Sequence, residues 1–390
     1  MRRLFTLLTL AMGCLAVAPS SAQVDTKAPS WGQGLRGWGL MDVPKGAGKA
    51  DLEGVIWRRG MSVCQDGRDN IYVLDASSGR VDQFSPNGDR RGGWVVPGWE
   101  GVEASPILSG FACDRRGETF AFGRRGDVRV FGEKGISSAF KIPTFVTGLG
   151  FVKGGLVAAR LPVQFGQSEP KQSPFQRHQA LVTRFRLDGE VLGESVAPDQ
   201  GQAPDNFTLA MTQDVGIAVD HRSGNAWIAD RHRLYRLRRL SFAGQVTGEW
   251  ISDKVRADVQ FVGQVPEEAK GRLTPDAVAK FQPVDAPMIV RDVVARDGLV
   301  FVLTNPGAIT ELPFIDVFSG ASEGPAWRIG LRVEGGVYFD QLAVTESALW
   351  LFPVAPGEHP RRVERAPDYV MLKSISPKPD DLDEGESSRD

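Results

Sequence analysis

Residues 71–88, I-Y-V-L-D-A-S-S-G-R-V-D-Q-F-S-P-N-G, contain two short apolar runs on either side of a polar turn. The runs are 71–74 and 81–84, and each is followed by residues that favour turns, among them Gly79 and Gly88. Short β-forming runs with such boundaries are typical of an antiparallel hairpin. A hairpin alone cannot bury its apolar side chains, so this segment needs further strands to pack against.

The second half of this stretch has a spacing, apolar-x-x-aromatic-x-x-x-Gly, that recurs along the chain. The copies are Val81/Phe84/Gly88, Val128/Phe131/Gly135, Val182/Phe185/Gly189 and, with leucine in place of the aromatic residue, Leu237/Leu240/Gly244. Self-similarity of this kind indicates a repeat protein in which each unit buries its apolar face against its neighbours.

A strand that precedes each hairpin marks the repeat a second time. Its last apolar residues are Cys64, Cys113, Val152, Val219, Ala295 and Val344, with spacings of 49, 39, 67, 76 and 49 residues. We call these six positions the anchors. The short spacings set a unit of 40 to 50 residues, which matches a four-stranded blade, and the long ones must contain insertions.

The second strand of each unit is apolar on both faces. These strands are predicted at 71–74, 119–122, 156–159, 226–229, 299–303 and 348–352. Strands of this kind are covered by protein on both sides, as they are when blades pack face to face. The sequence therefore predicts an all-β fold, a six-bladed β-propeller with four-stranded antiparallel blades.

The motifs of these units also resemble a known family. Three motifs resemble those of the NHL-repeat group of six-bladed propellers. They are G-I-A-V-D at 216–220, an apolar strand that ends in Asp230, and Arg-Val-x-x-Phe-x-x-x-Gly from Arg80. The resemblance is close from residue 61 to 252 and loose from 289 to 369. In the fifth unit Ser322 replaces the expected glycine, and residues 361–372 of the sixth unit contain no clear copy of the motif.

The two ends of the chain differ from the repeats. Residues 1–22 are predicted to be an export signal. They contain Arg2-Arg3, an apolar run from 4 to 18 and the small residues Ser20-Ser21-Ala22. The signal would direct the chain to either the general or the twin-arginine export pathway. We therefore expect an exported, periplasmic or extracellular protein that begins at Gln23. Residues 377–390 are acidic and lack aromatic side chains, which predicts a disordered tail.

Residues 23–376 are expected to form one propeller with two insertions. A strand within 31–43 should close the ring by completing the last blade; the alternative is a free arm. Residues 162–179 predict an exposed loop, and residues 254–287 a linker with one short helix near 274–281. Such loops either carry function or are tolerated insertions, and the sequence does not decide between these.

Composition narrows the possible partners. The formal net charge is −2 and 24% of the residues are charged, so no basic excess points to nucleic acid. No stretch after the signal could cross a bilayer, and we expect a monomer.

Few residues indicate chemistry. Cys64 and Cys113 could pair in an exported protein, but they lie on neighbouring inner strands that should diverge around a pore, so we expect two buried free thiols. The histidines have no metal-binding spacing, and the mixed charges of residues 230–233 suggest a solvated hairpin end. No nucleophile elbow or phosphate loop is present.

Residues three to five positions before each anchor should ring one mouth of the central channel. They are Arg59, Ser109, Thr147, Asp214, Arg291, Asp292, Asp340 and Gln341. The carboxylates could bind a cation, but the arginines beside them oppose this and favour an anionic ligand. Our hypothesis is that Arg59 and Arg291 bind the anion while Asp214 and Asp340 orient them. The alternative is a ring of ion pairs that only fixes the order of the blades.

The function expected from these observations is binding or scaffolding without catalysis or a cofactor. The propeller would present a face or a channel mouth to a protein, a peptide or a small anionic ligand. The alternative is a metal-dependent hydrolase or a lyase, similar to the calcium-dependent lactonases or zinc-dependent amidating lyases of six-bladed propellers, with its site in the channel and calcium as the expected cofactor.

Overall fold

The computed structural model describes twelve ranges of the chain. They are residues 38–43, 61–101, 109–162, 180–197, 213–232, 234–256, 288–304, 313–320, 324–333, 337–346, 348–354 and 360–364. Within these ranges the protein is all β and has no helix, so none of the described elements is a helix that could span a membrane.

The strands form six sheets that follow one another along the chain. The first three blades are β2 (Met61–Gln65), β3 (Ile71–Asp75), β4 (Arg80–Phe84), β5 (Arg90–Val95); β6 (Ser109–Cys113), β7 (Phe120–Arg124), β8 (Asp127–Gly132), β9 (Gly135–Lys141); and β10 (Val146–Val152), β11 (Gly155–Arg160), β12 (Val182–Phe185), β13 (Val191–Ser195). The last three are β14 (Val215–Val219), β15 (Ala226–Asp230), β16 (Leu234–Leu240), β17 (Val246–Arg256); β18 (Val290–Arg296), β19 (Leu299–Thr304), β20 (Phe314–Phe318), β21 (Trp327–Val333); and β22 (Phe339–Val344), β23 (Ala348–Pro353), β24 (Arg361–Glu364). One further strand, β1 (Trp38–Val43), precedes them.

The first strands of the blades surround a central channel. Each contacts the first strand of the blade before and after it, and β22 of blade six contacts β2 of blade one, so the ring closes after six blades. Every anchor lies at or next to the end of a first strand. The six-bladed propeller with four-stranded antiparallel blades is thereby confirmed, with three strands of blade six among the described residues.

Apolar packing between blades explains why the second strands lack a polar face. Every residue of β3, β7, β11 and β15 is buried. Between blades one and two, for example, the rings of Tyr72 and Phe120 lie 5.0 Å apart, edge to face. Side chains on both faces of each sheet therefore enter the core between neighbouring blades.

The first strands approach one another more closely than the sequence analysis assumed. A Cβ atom added at Gly110 would lie 2.7 Å from the backbone nitrogen of Leu149 in the next blade. The Cα atoms of Cys64 and Cys113 are 5.9 Å apart, which is within the range of a disulfide, and the two residues are bonded. The expectation of two free thiols was wrong, because neighbouring strands around this narrow channel converge instead of diverging.

The N-terminal strand has a different partner from the one expected. The sequence placed it on the last blade, but β1 pairs in parallel with β21 of blade five, from Trp38 opposite Arg328 to Val43 opposite Val333. It also contacts β24 of blade six. The outer edge of β21 offers unpaired backbone groups, and β1 covers that edge at the junction of the last two blades.

The insertions differ slightly from their predicted bounds. Residues 254–256 continue strand β17, so the second insertion starts later than residue 254. The first insertion lies between the second and third strands of blade three, as expected. Residues 163–179 and 257–287, with the predicted helix, lie outside the described residues, as do the signal 1–22 and the tail 377–390.

Candidate ligand site in the central channel

The channel contains a cavity of about 450 Å³. We name the two ends of the channel by the course of the first strands. The strand-start mouth is the end at which the first strand of each blade begins. The turn mouth is the opposite end, where a turn connects the first strand to the second. The cavity opens among the turns 66–69 and 220–222 and extends down to Asp292. Its volume is in the range of small-molecule sites.

Three blades build the turn mouth in the same way. An aspartate at the end of the first strand accepts a hydrogen bond from the backbone nitrogen two residues later, at an arginine in each case. The pairs are Asp66 with Arg68 at 2.8 Å, Asp114 with Arg116 at 3.1 Å, and Asp220 with Arg222 at 3.0 Å. The three carboxylates thus accept backbone hydrogen bonds that fix the conformation of the turns. The arginine side chains of these turns are exposed.

Exposed basic side chains surround the turn mouth. We call the exposed residues Arg68, Arg115, Arg116, Lys153 and Arg222 the basic rim. Within the described residues, the only ion pair of the rim is that of Arg222 with Asp297 at 3.8 Å, which is exposed and therefore weak. The acids on this face are the exposed Glu118, Asp297 and Glu346 and the turn-capping Asp66, Asp114 and Asp220, so the rim is distinguished by the exposure of its cations and not by an excess of positive charge.

Other polar groups hold the turn mouth together. Arg296 of blade five pairs with Asp69 of blade one, with its Nη2 atom 2.7 Å from a carboxylate oxygen. His221 of blade four places Nε2 3.0 Å from the carbonyl oxygen of Gln65 in blade one, on the opposite side of the ring. The imidazole therefore spans the mouth and narrows access to the cavity.

Below the mouth most side chains that line the cavity are apolar. Every blade contributes to the wall, which includes Val63, Ala112, Leu149, Ile217, Val293 and Leu342. The polar group at the far end is the carboxylate of Asp292, which accepts hydrogen bonds from the backbone nitrogens of Val293 at 2.9 Å and Leu342 at 2.7 Å. A ligand in the channel would thus meet cations first, then an apolar passage, then a carboxylate.

Most of the predicted site residues link neighbouring blades at the strand-start mouth. The Thr147 hydroxyl donates to the Val215 carbonyl at 2.8 Å, and the Gln341 side chain bonds two backbone groups of β2, accepting from Val63 at 2.8 Å. Arg291 lies 3.5 Å from Asp340. Ser109 begins β6 and is partly exposed. Arg59 lies outside the described residues.

Two residues at this mouth were missed from the sequence. Arg231 lies 3.6 Å from Asp214 and donates to the Thr147 carbonyl at 3.3 Å, and His232 lies 4.0 Å from Asp214. The prediction that residues 230–233 form a solvated hairpin end was wrong. The second strand β15 runs back to the strand-start mouth, so the residues after it lie beside the start of β14.

Electrostatics at the strand-start mouth differ from those of the rim. Burial alone would lower the pKa of Arg231, but the carboxylates of Asp214, Asp292 and Asp340 raise it above its ordinary value. Burial raises the pKa of Asp292 to about 7, although its two backbone hydrogen bonds and the attraction of Arg231 act against this. The arginines at this end form ion pairs with the neighbouring acids, whereas Arg222 is the one residue of the basic rim with an ion pair among the described residues.

The acids of the strand-start mouth do not form a metal-binding group with other described residues. In the part of the chain that the structure describes, no group of three or more His, Cys, Asp or Glu side chains is arranged to hold a metal ion. Asp214 is 3% exposed, and its Oδ1 atom has no hydrogen-bond partner among the described residues.

Comparison with known proteins concerns the fold. No protein-family model matches the sequence, the NHL repeat included, and no curated protein matches it. The chain is similar to the β-propeller domain of Cps50 (Swd1) from Myceliophteria thermophila, with 11% identity, 80% of this chain and 99% of that chain covered, and a TM-score of 0.42. It is also similar to a catalytically inactive virginiamycin B lyase from Staphylococcus aureus with quinupristin, with 11% identity, 79% and 82% covered, and a TM-score of 0.41. A protein of unknown function from Bacteroides caccae gives 11% identity, 70% and 88% covered, and a TM-score of 0.36. Likeness at this level does not extend to function.

Proposed function

We propose that this protein is an exported, non-enzymatic binding propeller whose central channel receives a small anionic ligand through the turn mouth. One observation carries the proposal: a cavity of about 450 Å³ opens among the exposed arginines Arg68, Arg115 and Arg222, and the same Asp-capped hydrogen bond holds the backbone of Arg68 and of Arg222. The Asp-capped turns fix the backbone beneath those arginines, so the rim needs little reorganisation to bind an anion.

The lining defines the class of ligand. Charge-assisted hydrogen bonds from guanidinium groups to a carboxylate, sulfonate or phosphate contribute about 1.5–3 kcal/mol each. The apolar passage favours an aromatic or aliphatic body, and Asp292 at the far end favours a hydrogen-bonding group. The best candidate is therefore an elongated amphipathic anion with a polar far end.

The residues of the strand-start mouth have a supporting role in this proposal. Asp292 reaches the cavity itself, while Thr147, Arg291, Asp340 and Gln341 hold neighbouring first strands in register. The hypothesis that Arg59 and Arg291 clamp an anion there is less favoured, because Asp340 lies beside Arg291.

Export is proposed on two grounds. Residues 1–22 have the pattern of a signal peptide, and a disulfide such as Cys64–Cys113 is typical of oxidising compartments. Mass spectrometry of the protein recovered from a secreting host should find Gln23 at the N-terminus. Recovery of a mature protein that retains Met1 would contradict export through a cleaved signal.

The binding proposal is tested with anilinonaphthalene sulfonate, an aromatic anion that fluoresces in apolar sites. We expect saturable one-to-one binding to the folded protein. The double variant Arg68→Gln/Arg222→Gln should weaken binding at least about tenfold, since it removes two charge-assisted contacts. Lys141→Gln removes an exposed cation on the outer strand of blade two and serves as the matched control. Equal affinity of wild type, rim variant and control would contradict the proposal.

A metal-dependent hydrolase or lyase is the second candidate, favoured by one observation. His232 and Asp214 lie 4.0 Å apart at the strand-start mouth, and the carboxylates of Asp292 and Asp340 act on the same arginine. Elemental analysis of the purified protein decides between the two candidates. Stoichiometric calcium or zinc that is lost in an Asp214→Asn variant would favour the enzyme, and its absence after dialysis against either metal would dismiss it.

A further inference from the structure

We propose that the acidic segment 377–390 binds to the basic rim of its own chain and competes with the ligand for the turn mouth. This inference rests on the proposed function, because it assigns a second, internal anion to the same site. It commits to one occupant of the rim, a segment of this chain that lies outside the described residues.

Charge is the first argument. Residues 377–390 contain six acidic and two basic residues, a net charge of −4. The rim presents five exposed cations, and most of them have no ionic partner among the described residues. The chain as a whole carries a net charge of only −2, so the segment and the rim are local concentrations of opposite sign. Opposite potentials of this kind steer association and favour one orientation.

The path of the chain is the second argument. Strand β24 pairs antiparallel with β23, and its last residue Glu364 lies opposite Ala348, the first residue of β23 after the turn of blade six. Because that turn belongs to the turn mouth, the described chain leaves blade six on the face that carries the rim.

Distance is the third argument. Residues 365–376 are 12 residues long and can span up to about 40 Å when extended. Two strand spacings, about 10 Å, separate the third strand of a blade from its first strand, which borders the channel. A segment attached at this point has an effective concentration on the order of millimolar at the rim, so weak individual contacts suffice for occupancy.

The competition is tested on the full-length chain with the six acids of 377–390 replaced by the corresponding amides. At about 50 mM salt we expect this variant to bind anilinonaphthalene sulfonate about three- to tenfold more tightly than the wild type. The difference should vanish at about 0.5 M salt, where exposed charges are screened, and in the Arg68→Gln/Arg222→Gln background. Equal affinity of the two chains at low salt would overturn the inference.

A second measurement does not depend on the fluorescent anion. Carbodiimide joins a carboxylate to an amine only when they are in contact, and Lys153 is the lysine of the rim. Mass spectrometry of the monomer should find Lys153 linked to residues 380–386, and an Arg68→Lys variant should add a second link. Lys141, on the outer strand of blade two, serves as the control. It lies 3.7 Å from Asp127 and can be linked to that residue, but it should show no link to residues 377–390.

The two readouts separate the possible failures. Cross-linking to the rim without any binding of the fluorescent anion would sustain the tail contact and contradict the proposed function. Anion binding through the rim with no cross-link and no effect of the amide variant would sustain the proposed function and overturn this inference.

Discussion

Asp292 combines a structural and an electrostatic role at the far end of the cavity. Its carboxylate joins blade five to blade six through the backbone nitrogen of Leu342, and burial raises its pKa to about 7. An unfolded aspartate has a pKa of about 3.9. Between pH 4 and 7, Asp292 is ionised in the unfolded chain but protonated in the folded protein. The contribution of this group to the free energy of unfolding is therefore present at low pH and is lost as the pH rises from 4 to 7.

We predict that Asp292→Asn removes this loss. The free energy of unfolding of the wild type, relative to the variant, should fall by about 2–4 kcal/mol between pH 4 and 7 and level off above pH 7. Urea denaturation at several pH values measures the difference, in which contributions from the other carboxylates cancel. A constant difference between the two proteins across this range would contradict the account.

At the residue scale, the sequence identified one part of the site and missed another. Asp214, Asp292 and Asp340 were found because each lies three to five residues before an anchor. Arg231 was missed because it follows the second strand, not the first. The signal was present: an antiparallel second strand returns to the level where the first began, so residues that follow it belong to the strand-start mouth.

The disulfide is the covalent link between the first strands of blades one and two. Cys64 and Cys113 are 49 residues apart, and closing a loop of this size stabilises a protein by about 4 kcal/mol through the entropy of the unfolded chain. We predict that Cys64→Ser/Cys113→Ser lowers the free energy of unfolding by about this amount, as measured by urea denaturation. Reduction of the wild type should give a similar loss, and unchanged stability in both experiments would contradict the bond.

Blades four and five are joined by a buried polar contact on the third strands. Asp316, which is fully buried, accepts a hydrogen bond from the Tyr235 hydroxyl of blade four at 2.7 Å and is paired with Arg328 at 2.6 Å. Asp316→Asn should lower the free energy of unfolding by about 3–5 kcal/mol, because it removes the buried carboxylate that pairs with Arg328 and accepts the hydrogen bond of Tyr235.

The matched control for this prediction is Asp297→Asn. Asp297 is about half exposed and its ion pairs are long, so we expect a change of less than about 0.5 kcal/mol. Thermal and urea denaturation of the two variants test the comparison. Equal losses for Asp316→Asn and Asp297→Asn would show that the buried contact contributes no more than a surface pair.

Element positions were predictable where the repeat was regular. The first and second strands of all six blades lie where the anchors placed them, because strands that are buried on both faces need continuous apolar runs. The third strands of blades five and six, β20 and β24, have weaker motifs but occupy the equivalent places. The partner of β1 could not be predicted, since the backbone groups at a sheet edge are alike in every blade and local sequence does not distinguish them.

For the whole molecule, ring closure creates the candidate site. A single blade has neither a channel nor a mouth; six converging first strands enclose the cavity, and turns from several blades present cations to the same opening. The sequence predicted the number of blades from its repeats, but the size of the cavity depends on how closely the first strands approach. That distance is set by glycines such as Gly110 and could not be derived from spacing alone.

The central claim is that an anion enters the channel at the turn mouth. The most direct test is a crystal structure of the protein with anilinonaphthalene sulfonate bound. We predict density for the aromatic rings within the apolar passage and the sulfonate within hydrogen-bonding distance of Arg68 or Arg222. Density for the sulfonate at the strand-start mouth, or only on the outer surface of the blades while the channel cavity contains water, would contradict the account.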